Sequence, residues 1–125
     1  MNSKKIKIAI VGVGNCASSL VQGLTYYKNV KDYKKVVGLM HTLLGGYRIS
    51  DIEVVAAFDI NKTKVGRDLS EAIYAHPNNT VTFAQVTKNG VIVSNAKVLD
   101  GIGYYLKDIV KISKEKIEDP VKILK

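Results

Sequence analysis

The chain has 125 residues, 46% of them hydrophobic, one cysteine and a formal net charge of +8. That length holds one modest domain or a piece of a larger one, and the apolar content excludes an intrinsically disordered chain. A lone cysteine excludes an internal disulfide framework and fits a reducing cytoplasm, and no apolar stretch approaches the ~20 residues that cross a bilayer.

The N-terminus "MNSKKIKIAIVGVG" has basic residues before an apolar run, as an export signal does. The run is short and its glycines belong to a fold motif, so export is rejected. Ile8 to Val11 is apolar without alternation, as in a parallel strand covered on both faces. Gly12-x-Gly14-x-x-Ala17 follows at once. The first glycine permits a sharp turn, the second lets a pyrophosphate approach the backbone, and the small third residue lets helix and strand pack closely. The helix start then offers free N–H groups to an anion. Glycines in this arrangement also serve plain strand-to-helix corners, so two readings stand.

The first helix is expected over 16–27, with Leu20, Leu24 and Tyr27 as its apolar stripe. Residues 28–51 show no clear strand and read as an insertion with one helical turn, closed by Gly45-Gly46. "IEVVAAFD", residues 52–59, is the second strand and ends in an acid. Val65, Leu69, Ala72 and Ile73 predict a second helix over 64–75, and "HPNNT", 76–80, a turn. "VTFAQV" and "VIVSN" are short strand candidates around a turn at Lys88-Asn89-Gly90. "LDGIGYYLKDIV" predicts a short helix after Gly101 and Gly103. The remainder is a charged linker with Pro120 opening a last helix. Strand, helix, strand, helix, strand is half of a doubly wound α/β sheet, so the expected fold is Rossmann-like: a partial parallel sheet with flanking helices.

A dinucleotide site places an acid at the tip of its second strand to hold the adenosine ribose. Asp59 has that context. Its distance from Ala17 is 42 residues, against about 20 in the usual motif, and the insertion accounts for the excess. The acid would favour NAD over NADP, whose 2′-phosphate it repels. Asp59 also reads as a turn residue, with Ile60 and Asn61, that caps the next helix.

Cys16 sits near a helix start, where a thiolate is stabilised, but no histidine is near it in sequence and a small packing role suits its place. His41 reads as insertion packing and His76 as an exposed turn residue. Two histidines and one cysteine give no metal-ligand spacing. The charge comes from 17 lysines and two arginines, scattered rather than massed. That is the pattern of a solvated surface; a nucleic-acid-binding domain has net charge alone in its favour.

The strings "IAIVGVGNCASSLVQGLTYY", "GLMHTLLGGYRISDIEVVAAFDIN", "KVGRDLSEAI", "NNT" and "LDGIGYY" occur in this order. Together they resemble the N-terminal part of inositol-phosphate synthase in its archaeal and actinobacterial form, from about Lys5 to Ile109. The resemblance implies a cytoplasmic, NAD-dependent isomerase of inositol and phospholipid biosynthesis. It would convert glucose 6-phosphate to myo-inositol 1-phosphate by internal oxidation, aldol cyclisation and reduction. It implies a homotetramer and a divalent metal or ammonium ion in the full-length enzyme. The family's catalytic groups lie in a later segment, so no catalytic residue is assigned here.

By the same resemblance, Gly12, Gly14, Asn15, Cys16 and Ala17 match the pyrophosphate loop, and Ser18 and Ser19 follow as phosphate donors. Asp59 matches the acid after the "AAFD" strand. Asp68 matches an acid that lines the NAD site, though it equally suits a helix N-terminal acid. Asn78, Asn79 and Thr80 match residues near the cofactor, or form a plain turn. The expectation is one NAD-binding domain over 1–125, inactive alone and monomeric or weakly associated. The rival is a stand-alone nucleotide-binding or sensing module without catalysis.

Overall fold

The computed structural model describes residues 4–30 and 36–125. Strand β1 (Ile6–Val11) is followed by helix α1 (Asn15–Tyr26), strand β2 (Ile52–Asp59), helix α2 (Leu69–Ala72), strand β3 (Val93–Asn95) and helix α3 (Pro120–Leu124). β1 pairs in parallel with β2, and β2 in parallel with β3, giving the order β1-β2-β3. This is one half of a doubly wound sheet, Rossmann-like as the alternation of elements predicts.

The register brings Ile6 opposite Ile52 and Val11 opposite Phe58, while Asp59 lies opposite Asn95. Ile8 faces Val54 but Ala9 faces Ala56. Val55 is therefore the extra residue of a bulge on β2, which adds local twist. β1 forms one edge of the sheet, and Val11 there is 82% exposed.

The core is one cluster. Ile10, Ala57 and Val93 from the three strands meet Ala17 and Val21 of α1 and Leu69 and Ile73 around α2. Leu69 and Ile73 are fully buried, each stabilising the fold by about 1.5–3 kcal/mol. α1 does not bury the stripe that its leucines suggest. Its buried residues are Ala17, Ser18, Val21 and Gln22, while Leu20 is 46% exposed. The polar pair can go inside because it is hydrogen-bonded. Gln22 Nε2 donates to Ser18 Oγ and to the Val81 carbonyl, and Gln22 Oε1 accepts from the amides of Phe83 and Ala84.

Those same bonds explain why "VTFAQV" is not a strand. Its backbone groups are satisfied by a side chain of α1 rather than by a ladder. The expected 64–75 helix shrinks to Leu69–Ala72. Gly66 has φ +81°, in the left-handed region where an α-helix cannot continue, and Asp68 caps a new start two residues later.

In the insertion, residues 31–35 lie outside the described residues. After them, Leu44 and Tyr47 exchange backbone bonds across Gly45-Gly46, both at positive φ, as a two-residue hairpin turn requires. The one helical turn expected there is a 3-10 turn at Ile49–Asp51. After Gly101-Ile102-Gly103 the chain makes turns, not the expected helix.

The C-terminal linker is a strap rather than a free tail. Lys62 N–H donates to the Lys111 carbonyl, Ser113 N–H to Ile60, and Glu118 N–H to Asn95. Residues 111–118 thus cross the tips of β2 and β3. α3 begins at Pro120 as predicted, with the Asp119 carboxylate accepting from Val121 N–H. Among the described residues no helix is long and apolar enough to cross a membrane.

Candidate functional site

The C-terminal tips of β1 and β2 carry the residues with chemistry. β1 ends at Val11 and α1 starts at Asn15, so three residues make the corner. Gly12 takes φ +90°, a conformation that strains residues with a Cβ, and its N–H donates to the Phe58 carbonyl at 2.8 Å. Gly14 is different. Its φ is an ordinary −93°, and a Cβ built there meets nothing within 4 Å. Neither backbone geometry nor internal packing requires glycine at 14; the open space above it does not belong to the chain's own core.

α1 begins without a side-chain cap and without an acid in its first turn. The N–H of Ser18 reaches the Gly14 carbonyl at 2.9 Å. Among the described residues no acceptor is present for the amides of Gly14, Asn15, Cys16 and Ala17. Asn15 cannot cap them, because its Oδ1 is taken by the amides of Asn79 (2.8 Å) and Thr80 (3.1 Å) and by Thr80 Oγ1 (2.9 Å). An uncapped helix start with converging N–H groups attracts an anion.

Asp59 closes this corner from β2. Its Oδ2 accepts from Val13 N–H at 2.7 Å, and its Oδ1 accepts from Ile60 and Asn61 N–H, each at 2.7 Å. Three amides therefore hold the carboxylate at the strand tip. A carboxylate offers about four lone-pair sites, so Oδ2 keeps room for one further donor such as a hydroxyl. Asp59 thus makes the expected turn with Ile60 and Asn61 but does not cap the next helix, which starts at Leu69 and is capped by Asp68.

The "NNT" residues are built into the same corner. Asn78 Nδ2 donates to the carbonyls of Val13 (3.1 Å) and Ile73 (3.0 Å), and Asn78 Oδ1 accepts from Lys64 Nζ at 2.8 Å. Lys64 is only 4% exposed. Burial pulls its pKa below the ordinary lysine value, and the nearby Asp59 charge partly opposes that fall.

Two expected residues stay off the exposed rim. Ser18 is fully buried with its hydroxyl bonded to Gln22, so it is not placed to reach a phosphate; Ser19 is exposed. Asp68 is a buried cap. Its Oδ1 accepts from Ser70 N–H (3.0 Å) and Ser70 Oγ (2.6 Å), and its Oδ2 from Gly90 N–H (2.9 Å). Burial pushes its pKa up, but the bonds from Ser70, Gly90 and Asn89 outweigh that and hold it below the usual carboxylate range. Of its two readings, the geometry displays the helix acid.

Cys16 is exposed rather than packed, beside the open amides. His41 and His76 are both exposed, which departs from packing for His41. Among the described residues no three His, Cys, Asp or Glu side chains gather in a metal-binding group. A shallow hollow of about 260 Å³ lies elsewhere, between α1 and the start of β2, lined by Leu24, Ile49 and Ile52 among others.

Sequence reasoning did not find Lys64 or Gln22. Lys64 is one of 17 lysines, and nothing in its local pattern marks it. Gln22 sits on a helix whose leucines draw attention to another face.

No family model matches the chain. The inositol-3-phosphate synthase of Mycolicibacterium smegmatis is 52% identical over 121 residues, covering 97% of this chain and 33% of that protein. That of Mycobacterium tuberculosis is 50% identical over 123 residues, covering 98% and 34%. That of Corynebacterium glutamicum is 43% identical over 124 residues, covering 99% and 34%. Among solved structures, the crystal structure of Ari2 superposes with a TM-score of 0.66 at 32% identity, covering 75% of this chain and 29% of that one. Nearly all of this chain is thus homologous to inositol-3-phosphate synthase, and it spans about a third of the length of the curated relatives it matches.

Proposed function

We propose that the chain binds NAD at the corner between β1 and α1 and forms the cofactor-binding part of an inositol-phosphate synthase. The observation that carries this reading is the uncapped start of α1, where among the described residues four amides lack an acceptor and nothing crowds Gly14. A pyrophosphate fits that arrangement, since it supplies the missing acceptors and needs the missing Cβ.

The residues divide the work. The amides of Gly14, Asn15, Cys16 and Ala17 would hold the pyrophosphate, with Ser19 at the exposed rim. Asp59 would accept from the adenosine ribose with its remaining lone pair, and its charge would disfavour the 2′-phosphate of NADP. Gly12 shapes the turn, while Ser18 is engaged with Gln22 and Asp68 caps α2. Bound there, NAD would supply the chemistry of reversible hydride transfer. In the synthase reading the sugar is glucose 6-phosphate, the product myo-inositol 1-phosphate, and the full enzyme a homotetramer with a divalent metal or ammonium ion.

The 125 residues by themselves are expected to bind cofactor without turnover, because hydride transfer needs both partners held in one geometry. They are also expected to be monomeric or weakly associated. The test is calorimetric titration with NAD and NADP, alongside an assay for inositol phosphate from glucose 6-phosphate with NAD and divalent metal. Saturable binding that favours NAD, with no product, supports the reading. Absence of NAD binding by the folded chain overturns the cofactor assignment, and product formation overturns the division of labour.

A further inference from the structure

Lys64 follows β2 and sits under the loop that precedes α1, yet it is not among the proposed ligand contacts. It is almost wholly buried, and its ammonium donates to Asn78 Oδ1 at 2.8 Å. That bond and the two carbonyls at the other end agree on which way round the Asn78 amide lies. With Oδ1 turned to Lys64, the amino end faces the Val13 and Ile73 carbonyls and donates to both. Reversed, the amide would set its oxygen against two carbonyl oxygens and leave the ammonium without this acceptor.

The Val13 carbonyl matters because it shares a peptide plane with the Gly14 N–H. In a planar trans peptide the C=O and N–H point in opposite directions. An Asn78 amide that holds the Val13 oxygen on one side therefore aims the Gly14 N–H to the other, the first of the four amides without an acceptor among the described residues. The preceding peptide is held as well, since Asp59 Oδ2 accepts the Val13 N–H at 2.7 Å. Two successive peptide planes of the corner are thus set by side chains from outside it.

We propose that Lys64 is a positioning residue of the phosphate cradle: by orienting Asn78 it fixes the Val13–Gly14 peptide and aims the Gly14 N–H at the ligand. The inference rests on the dinucleotide reading of the corner. It assigns no ligand contact to Lys64. Its work is done in the unliganded protein, so the cradle is formed before the ligand arrives and binding does not have to order it.

The experiment uses the full 125-residue chain, ADP-ribose as ligand, and the variants Lys64→Met, Asn78→Ala and the double variant. Lys64→Met keeps the length and apolar stem but removes the donor. It is expected to weaken ADP-ribose by about tenfold, the scale of a lost hydrogen bond to a charged group. Asn78→Ala should do the same, and the double variant should be no weaker than the weaker single one, because both act through one peptide. In the unliganded chain, the NMR resonances of the Gly14 amide and the Asn78 side-chain amide should both move in Lys64→Met, with the core resonances unchanged.

Should Lys64→Met fail to fold, Lys64→Gln, which retains a donor, takes its place and is expected to lose less affinity than Asn78→Ala. Unchanged affinity in Lys64→Met, multiplying effects in the double variant, or an unmoved Gly14 resonance overturns the proposal. If the wild-type chain does not bind ADP-ribose, the dinucleotide reading fails; the Gly14 resonance then still decides whether Lys64 sets the loop.

Discussion

Asp59 Oδ2 accepts the backbone N–H of Val13 at 2.7 Å across 46 residues of sequence. This bond ties the tip of β2 to the corner that follows β1, so the acid and the glycines form one unit. Val13 is fully buried, and its amide loses its acceptor if the carboxylate is removed.

Asp59→Ala is therefore expected to do two things. Leaving the Val13 amide unpaired, together with those of Ile60 and Asn61, should cost about 2–3 kcal/mol, a fall in melting temperature of several degrees. NAD affinity should fall by about 10–100-fold, and the preference over NADP should narrow. Thermal melts and titrations of both cofactors measure these separately. A loss of stability with the NAD-to-NADP ratio unchanged would reduce Asp59 to a turn residue.

The two glycines of the corner should part company on substitution. Gly14→Ala introduces a Cβ into open space at an ordinary φ, so stability should stay within about 1 kcal/mol of wild type. NAD binding should nevertheless drop by at least about tenfold, because the methyl group stands where the pyrophosphate would lie. Gly12→Ala, at φ +90°, should lose about 1–3 kcal/mol of stability. Equal binding by wild type and folded Gly14→Ala would make the motif a plain corner.

Asp68 is expected to matter for folding rather than for cofactor. Asp68→Ala removes the cap of α2 and the acceptor for Gly90 N–H, a loss of about 1–3 kcal/mol with little change in NAD affinity. The folded protein holds this carboxyl below its usual pKa through those bonds. The ionised form is thus favoured by folding. Its contribution is fully present above the ordinary carboxylate range and is lost as pH falls below about 4, through the depressed value. Urea unfolding of wild type and Asp68→Asn between neutral pH and that region should converge as pH falls. A wild-type advantage that persists undiminished at the acid end contradicts this.

Gln22→Leu is the test of the buried polar pair in α1. The leucine suits the apolar surroundings but leaves the amides of Phe83 and Ala84 without their acceptor. About 1–2 kcal/mol should be lost, because the two donors are only part-buried. Limited proteolysis should cut first within 81–86, since that segment has no ladder to hold it. A variant that is as stable and as resistant as wild type would show that the segment is held by its apolar contacts instead.

Local chemistry made much of this protein readable. β2 is found over the expected 52–59, and α3 starts at the expected proline, because strands buried in parallel sheets need unbroken apolar runs and Pro suits a first helical turn. The corner was readable too: Gly12 is demanded by its own φ, and an acid after "AAF" falls at a strand tip whatever the insertion between. Tertiary structure decided the rest. Val65 to Ile73 has helical spacing, yet the chain there pairs with 91–93 instead of continuing a helix: Gly66 N–H donates to the Val93 carbonyl, Val93 N–H to Arg67 and Leu69 N–H to Val91, with Gly66 at a left-handed φ. "VTFAQV" has strand composition, but its amides found Gln22 before they found a neighbouring strand. Lys64, Asn78 and Val13 are 14 and 65 residues apart along the two bonds that join them. No spacing rule links such positions. Only the folded chain brings a lysine, an amide and a carbonyl into line, because a buried polar group must take whichever partner the packing supplies.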